Sequence, residues 1–307
     1  MKYLKLLRFP NLLIIAITQY LVRTCLIIYP GAEHSLSDFE FMLLVVSTVL
    51  IAGAGNAIND YFDVKVDSIN RGSERVVGTS ISRNAAIFTH LFLSGLGLAI
   101  AAYLSVIMKV YWLFSFHLFA AVALWFYSTH FKKMFLLGNL LVSLLTGLVV
   151  LLVAIFELAP LSGYVWQGES GDILKLTVAY AGFSFIISWI RETVKDLEDR
   201  KGDGAMKFNT MAVAWPIPKT KAFVQSLSFI LFLGILFAAF SEFSNSIWAI
   251  LYISIAVLLP LVLFSLSLKK AETKAQFHRA SSLAKIIMLF GACSMLVFTI
   301  FAQNGLL

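Results

Sequence analysis

The chain has 307 residues, of which 60% are hydrophobic and only 13% are charged. A water-soluble domain of this length cannot bury so much apolar side chain, so the composition excludes a soluble globular protein and indicates a membrane protein. Lys and Arg outnumber Asp and Glu by 24 to 17. Basic residues collect in the cytoplasmic loops of membrane proteins, so this excess does not indicate nucleic-acid binding, and we expect no nucleic-acid partner.

Nine uncharged or nearly uncharged stretches are each long enough to cross the hydrocarbon core, which takes roughly 20 residues of helix. In chain order they are residues 11–29, 39–58, 86–107, 111–128, 134–157, 173–191, 222–240, 247–267 and 283–303. The sequence therefore predicts an all-α, polytopic membrane protein with nine transmembrane helices, in which residues 1–307 form a single domain.

Arg23 lies inside the first of these stretches, where a charge is costly. Of the two ways to relieve that cost, extension of the side chain to the outer interface is favoured over pairing within the bundle. The five histidines show no spacing typical of metal ligands, and the two cysteines lie in apolar runs, which indicates packing roles.

The basic residues alternate between the two sides of the predicted bundle. The N-terminus and the segments 59–85, 129–133, 192–221 and 268–285 contain nearly all of them. The positive-inside tendency then predicts that the N-terminus and these four segments face the cytoplasm, in a protein of the cell membrane.

A first cluster of acidic and amide side chains directly follows the second stretch. If the helix continues through this cluster, Asn56, Asn59, Asp63 and Asp67 lie along one face, with Asp60 beside them. Carboxylates at this spacing repel one another, and a surface helix has little reason to keep them unless a cation lies among them. Ligands that are all oxygen suit Mg²⁺ or Ca²⁺, and Mg²⁺ commonly completes its shell with substrate phosphate oxygens.

A second cluster follows the sixth stretch, with Asp196, Asp199 and Asp203 again at helical spacing. For either cluster alone, a solvated loop with local ion pairs would be the simpler interpretation. Both clusters, however, adjoin a span end on the same predicted side, as expected for a weak internal repeat with opposed acidic faces. Basic residues that can reach phosphate oxygens lie near both clusters, so together they predict a diphosphate site; these residues are Arg71, Arg75, Lys132 and Lys195.

Two strings carry a family resemblance: Asn-Asp-x-x-Asp-x-x-x-Asp over residues 59–67, and Lys-Asp-x-x-Asp-x-x-x-Asp over residues 195–203. They resemble the two aspartate-rich signatures of the UbiA superfamily of intramembrane prenyltransferases. Three stretches further resemble its digeranylgeranylglyceryl phosphate synthase branch: residues 59–64, residues 69–71 with Arg75, and residues 137–140 with 146–147. Members usually carry prolines where this chain has Gly72 and Val76, so we expect a more mobile loop here.

The resemblance implies a bundle around a central cavity, open to prenyl diphosphate from the cytoplasm and to membrane lipid laterally, and Mg²⁺-dependent prenyl transfer. The implied metal ligands are Asn59, Asp60, Asp63, Asp67, Asp196, Asp199 and Asp203. The implied catalytic carboxylates are Asp63, Asp67, Asp196 and Asp199. The expected substrate-binding residues are Asn56, Arg71, Arg75, Tyr127, Lys132 and Lys195.

Within the family, geranylgeranyl transfer to the hydroxyl of a geranylgeranylglyceryl phosphate is the favoured activity. Prenylation of 4-hydroxybenzoate, a naphthoate or haem is the alternative. A CDP-alcohol phosphotransferase is less favoured, because its Asp-Gly-x-x-Ala-Arg string does not occur in this chain. A cation transporter is also less favoured, because transport sites usually lie near the bilayer midplane, whereas these acids lie at span ends.

Overall fold

The computed structural model describes residues 1–70, 72, 75–160 and 168–306. In this part of the chain nine helical segments are long and apolar enough to cross a membrane, which confirms the predicted number of spans. The helices are α1 Lys2–Leu6, α2 Phe9–Leu21, α3 Asp38–Phe62, α4 Val64–Asn70, α5 Arg83–Ile107, α6 Phe114–Thr129, α7 Leu137–Leu158, α8 Gly168–Ala205, α9 Met211–Ala214, α10 Ile217–Phe243, α11 Ile247–Tyr252, α12 Leu259–Lys270 and α13 Lys274–Gln303.

Two π-helical segments lie within the spans. Val22–Ile28 continues α2, and Ile253–Leu258 joins α11 to α12. The second segment ends two residues before Pro260, which has no N–H to donate to the preceding turn. A wider helical turn at that point accommodates the missing hydrogen bond without ending the span.

Six of the helices form a closed ring around one cavity. The order around the ring is α2, α3, α6, α7, α8 and α13, and each helix packs against the next, with α13 returning to α2. This order places α3 opposite α8, and α6 opposite α13. Outside the ring, α5 packs on α3, while α10 and α12 pack against α8 and α13, respectively.

An ion cluster joins the first, second and fifth spans at the ends away from the acidic clusters. Arg23 is only 4% exposed, and its Nε donates to Glu157 Oε1 at 2.7 Å. Its two other guanidinium nitrogens donate to Asp38 Oδ1 at 2.7 Å and to the Leu36 carbonyl at 2.6 Å. The expectation that Arg23 extends to the outer interface is therefore wrong, because Glu157 on α7 supplies a partner within the bundle.

Candidate active site

The ring encloses a cavity of about 540 Å³ that is apolar in its interior and polar at one end. The polar end is lined by side chains near the start of α2, the end of α3 and the later part of α8. Along α6, the lining extends from Tyr127 at the polar end to His117 in the interior. At about 1.5 Å per residue, this stretch of helix makes the cavity roughly 15 Å deep.

The first acidic cluster lies where α3 ends and α4 begins. The expected continuous helix is interrupted at Asp63, whose φ of −87° and ψ of 1° end α3. The spacing survives the interruption, because the Asp63 N–H donates to the Asn59 carbonyl at 3.0 Å and the Asp67 N–H donates to the Asp63 carbonyl at 2.8 Å. Asn59, Asp63 and Asp67 therefore remain in register, and Asn59 lines the polar end of the cavity.

Two basic side chains pair with carboxylates of this first cluster. Arg8 Nη2 lies 2.9 Å from Asp60 Oδ1. Lys132, in the turn between α6 and α7, pairs with Asp63, and its Nζ lies 3.4 Å from Asn59 Oδ1. Burial lowers the pKa of the Lys132 ammonium from its ordinary value, while the nearby Asp63 carboxylate opposes that shift. A buried ammonium of this kind can donate to phosphate oxygens at low desolvation cost, since its water is already lost.

Arg8 has an unusual backbone conformation for a residue with a side chain. Its φ of 53° and ψ of 51° lie in the left-handed region, directly before α2. Such a conformation costs about 1–2 kcal/mol for a non-glycine residue. The ion pair with Asp60 offsets this cost and directs the guanidinium towards the cavity, which Arg8 lines.

The second acidic cluster lies on the C-terminal part of α8. The sixth predicted stretch ends too early, because α8 continues to Ala205 without interruption and carries the whole cluster. Asn139, in the first turn of α7, donates to Asp196 Oδ2 at 2.8 Å. Asp203 is 9% exposed, and it interacts electrostatically with Asp199 on the same helix and with Asp63 of the first cluster.

Two further interactions connect the two clusters. The Gly202 N–H donates to Asn70 Oδ1 at 3.0 Å, which joins α8 to α4. A Cβ at Gly202 would lie 2.4 Å from that same oxygen, so only glycine permits this approach. Tyr127, on the wall between the clusters, interacts electrostatically with both Asp63 and Asp196.

The predicted substrate-binding residues have different positions. Asn56, Tyr127 and Lys195 line the cavity, and Asn56 Nδ2 also donates to the Leu7 carbonyl at 2.9 Å. Arg75 lies between α4 and α5, and its Nε is buried with no hydrogen-bond partner in the part of the chain that the structure describes. Arg71 lies outside the described residues.

The donor set of both clusters fits Mg²⁺. Among the residues described, no group of three His, Cys, Asp or Glu side chains is close enough to hold a metal ion. Carboxylate and amide oxygens are donors that suit Mg²⁺, which is usually held by one or two carboxylates, several waters and substrate phosphate oxygens. Carboxylate and amide oxygens from two opposite walls can hold such an ion only together with a ligand placed between them.

Several side chains at the site were not nominated from the sequence; they are Arg8, Asn11, Asn139, Glu192 and Lys285. Lys285 had a visible signal, since it is a single basic residue inside a predicted span, and an ionisable residue there is usually functional. Asn139 had no such signal, because its contact with Asp196 depends on how α7 packs against α8.

Gly138 positions Lys132 by close backbone contact. A Cβ at Gly138 would lie 2.8 Å from Lys132 Cα and 3.0 Å from the Phe131 carbonyl oxygen. We expect Gly138→Ala to displace this turn and to lower kcat/KM by roughly tenfold or more, since small misplacements of positioning groups are costly. Gly234→Ala is the matched control, because nothing lies within 4 Å of a Cβ there. Wild-type rates in Gly138→Ala protein would show that the close contact has no role in positioning Lys132.

Comparison with known proteins agrees with this geometry. The model of the UbiA prenyltransferase family matches residues 21–302. Digeranylgeranylglyceryl phosphate synthase of Thermococcus kodakarensis is 28% identical over 268 residues, which cover 87% of this chain and 88% of that protein.

Solved structures share the fold. A structure of digeranylgeranylglyceryl phosphate synthase has a TM-score of 0.68 at 22% identity and covers 97% of this chain and 98% of its own. A UbiA homologue from Archaeoglobus fulgidus bound to GPP and Mg²⁺ has a TM-score of 0.56 at 18% identity, covering 96% and 100% of the two chains. Because the family model spans nearly the whole chain, this protein belongs to the UbiA prenyltransferase family.

Proposed function

We propose that this protein transfers a geranylgeranyl group from geranylgeranyl diphosphate to the hydroxyl of geranylgeranylglyceryl phosphate, forming an ether lipid. The proposal includes a requirement for Mg²⁺, a single domain over residues 1–307, and a cavity opening to the cytoplasm at the cell membrane. The observation that carries it is the pair of acidic helix ends, α3–α4 and α8, on opposite sides of one polar opening into an apolar cavity.

The shape and polarity of the cavity match a prenyl diphosphate. Such a substrate joins an apolar tail to a strongly anionic head, so it needs an apolar chamber that ends in charged groups. The interior is lined by aliphatic side chains such as Leu145 and Val149, while the opening carries Arg8, Arg191 and Lys195. The tail would lie between the ring helices, and the head would lie between the two acidic clusters.

The donor substrate loses its diphosphate in the proposed reaction. The bond between C1 of the prenyl group and the diphosphate oxygen breaks, and positive charge develops at C1. Bound Mg²⁺ would neutralise the negative charge that grows on the leaving diphosphate. Lys132 and Lys195 donate to the phosphate oxygens. The ring of Tyr127 can stabilise the charge at C1 by about 0.5–2 kcal/mol.

The acceptor completes the reaction. Its hydroxyl oxygen forms the new ether bond to C1, and the hydroxyl proton passes to a carboxylate of the clusters. Asp196 is a candidate for this role, because Asn139 holds one of its oxygens by a hydrogen bond of 2.8 Å. Apolar lining side chains such as Leu124 and Val142 exclude water, which would otherwise capture the prenyl cation.

The acceptor is proposed from the relatives, several of which are named for digeranylgeranylglyceryl phosphate synthesis. The test is purified protein supplied with geranylgeranyl diphosphate, Mg²⁺ and a panel of acceptors, with products identified by mass. We expect an ether product from geranylgeranylglyceryl phosphate, and loss of that product when EDTA removes Mg²⁺. Prenylation of 4-hydroxybenzoate or a naphthoate, without the ether product, would contradict the proposal. Cation flux without any prenylated product would also contradict it.

A further inference from the structure

Lys285 is a cation in the first half of the last membrane-spanning helix, Lys274–Gln303, with no opposite charge beside it among the described residues. It lies on α13, lines the cavity, and is half-buried. Its Nζ donates to Asn11 Oδ1 at 2.7 Å, and no carboxylate of the described residues lies within 4.0 Å of it. A charged group in this position is costly, so it indicates a ligand or partner that supplies the missing negative charge.

A second cation adds to this cost. Arg191 on α8 lines the same cavity and acts electrostatically on Lys285. The guanidinium of Arg191 pairs with the adjacent Glu192. Lys285 forms no ion pair with Glu192 and donates to Asn11 instead. Two like charges that face one cavity repel each other unless an anion lies between them.

In the ring, Lys285 lies away from Lys132 and the first acidic cluster. In the ring, α13 lies between α8 and α2, opposite α6. Lys132 follows α6 and is already bound to Asp63 and Asn59 of the first cluster. The opening therefore has two cationic walls, one joined to the candidate metal ligands and one formed by Lys285, Arg191 and Asn11.

The two walls correspond to two different anions. The donor substrate carries a diphosphate, which belongs with the metal ligands and Lys132. An aromatic acceptor such as 4-hydroxybenzoate carries a carboxylate on a small ring, whereas the proposed lipid acceptor carries a phosphate monoester on its glycerol. A lysine and an arginine with an amide donor form a set suited to phosphate, because together they offer several donors and two positive charges.

We propose that Lys285, Arg191 and Asn11 bind the phosphate of the acceptor lipid and so select phosphorylated glyceryl lipids over uncharged lipid alcohols. This inference rests on the proposed function. It assigns the acceptor head group to the α13–α2 wall, which leaves the glycerol hydroxyl free to approach C1 of the prenyl group from the side opposite Lys132.

The test compares Lys285→Met, Lys285→Arg and the wild type. Losing a charge-assisted contact should raise the KM for geranylgeranylglyceryl phosphate about tenfold or more. We expect the KM for geranylgeranyl diphosphate to stay within about twofold, because Lys285 does not contact the candidate metal ligands. Lys285→Arg should restore most of the acceptor affinity. Arg279→Met is the matched control, since Arg279 is exposed on the same helix, outside the cavity lining.

A binding measurement separates this inference from the proposed function. The increase in Tm on adding geranylgeranylglyceryl phosphate is compared with that on adding geranylgeranylglycerol, in the wild type and in Lys285→Met. In the wild type we expect a larger increase in Tm with geranylgeranylglyceryl phosphate than with geranylgeranylglycerol. In Lys285→Met we expect nearly equal increases with the two lipids. An equal preference for phosphate in both proteins would overturn the inference, as would an equal rise in both KM values. If the wild type makes no ether product, the proposed function fails, while the Tm comparison still decides the role of Lys285.

Discussion

Replacing Asp63 by Asn should lower the rate of prenyl transfer by more than about a hundredfold while leaving folded protein in the membrane. Asp63 ends α3, pairs with Lys132 and faces Asp203 across the opening. Asn keeps the size and one oxygen of the side chain but removes the charge that would hold Mg²⁺. Asp199→Asn should have a similar effect, because Asp199 belongs to the opposite cluster. The measurement is kcat at saturating prenyl diphosphate over a range of Mg²⁺ concentrations.

Asp172→Asn is the control for these substitutions. Asp172 lies on α8, the helix that carries Asp199, and its side chain is 75% exposed and pairs with Lys175. We expect wild-type turnover from this variant, since it lies far along the helix from the acidic cluster. Near-normal rates in both Asp63→Asn and Asp199→Asn proteins would remove these carboxylates from the site.

The second large effect concerns stability. Removing Arg23 by Arg23→Met leaves Glu157, which is fully buried, without its ion-pair partner. An uncompensated buried charge typically costs about 3–5 kcal/mol, so a large loss in the free energy of unfolding and a lower Tm are expected. Combining Arg23→Met with Glu157→Gln should recover most of that loss, because the remaining amide is neutral.

Lys175→Met provides the comparison for an exposed pair. Lys175 is 77% exposed and pairs with Asp172, and exposed pairs contribute about 0–1 kcal/mol. Thermal unfolding of all four proteins in the same detergent gives the measurement. If Arg23→Met unfolds at the same Tm as Lys175→Met, the cluster contributes no more than a surface pair.

The nine spans could be predicted from sequence because a helix in lipid must satisfy its own backbone hydrogen bonds. That requirement makes each span a continuous apolar stretch, visible without any knowledge of its neighbours. The ends of the spans were harder to predict. Charged residues such as Asp196 and Asp203 are typical of loops, yet α8 continues through both of them to Ala205.

The acidic clusters could be predicted because their spacing lies within short stretches of chain. Their partners could not, because those contacts depend on the order of helices around the ring. Arg8 reaches Asp60 over 52 residues, Asn139 reaches Asp196 over 57, and Lys285 reaches Asn11 over 274. The same reason explains the error at Arg23, whose partner Glu157 is 134 residues away.

Binding of geranylgeranyl diphosphate tests most directly whether both helix ends hold one magnesium diphosphate. Calorimetric titrations with and without Mg²⁺ would compare the wild type, Asp63→Asn, Asp199→Asn and the double variant. A shared site predicts that either substitution removes the Mg²⁺-dependent part of the affinity and that the second adds little further loss. Separate losses that add in the double variant would contradict a site shared by α3–α4 and α8, as would Mg²⁺-dependent binding that survives both substitutions.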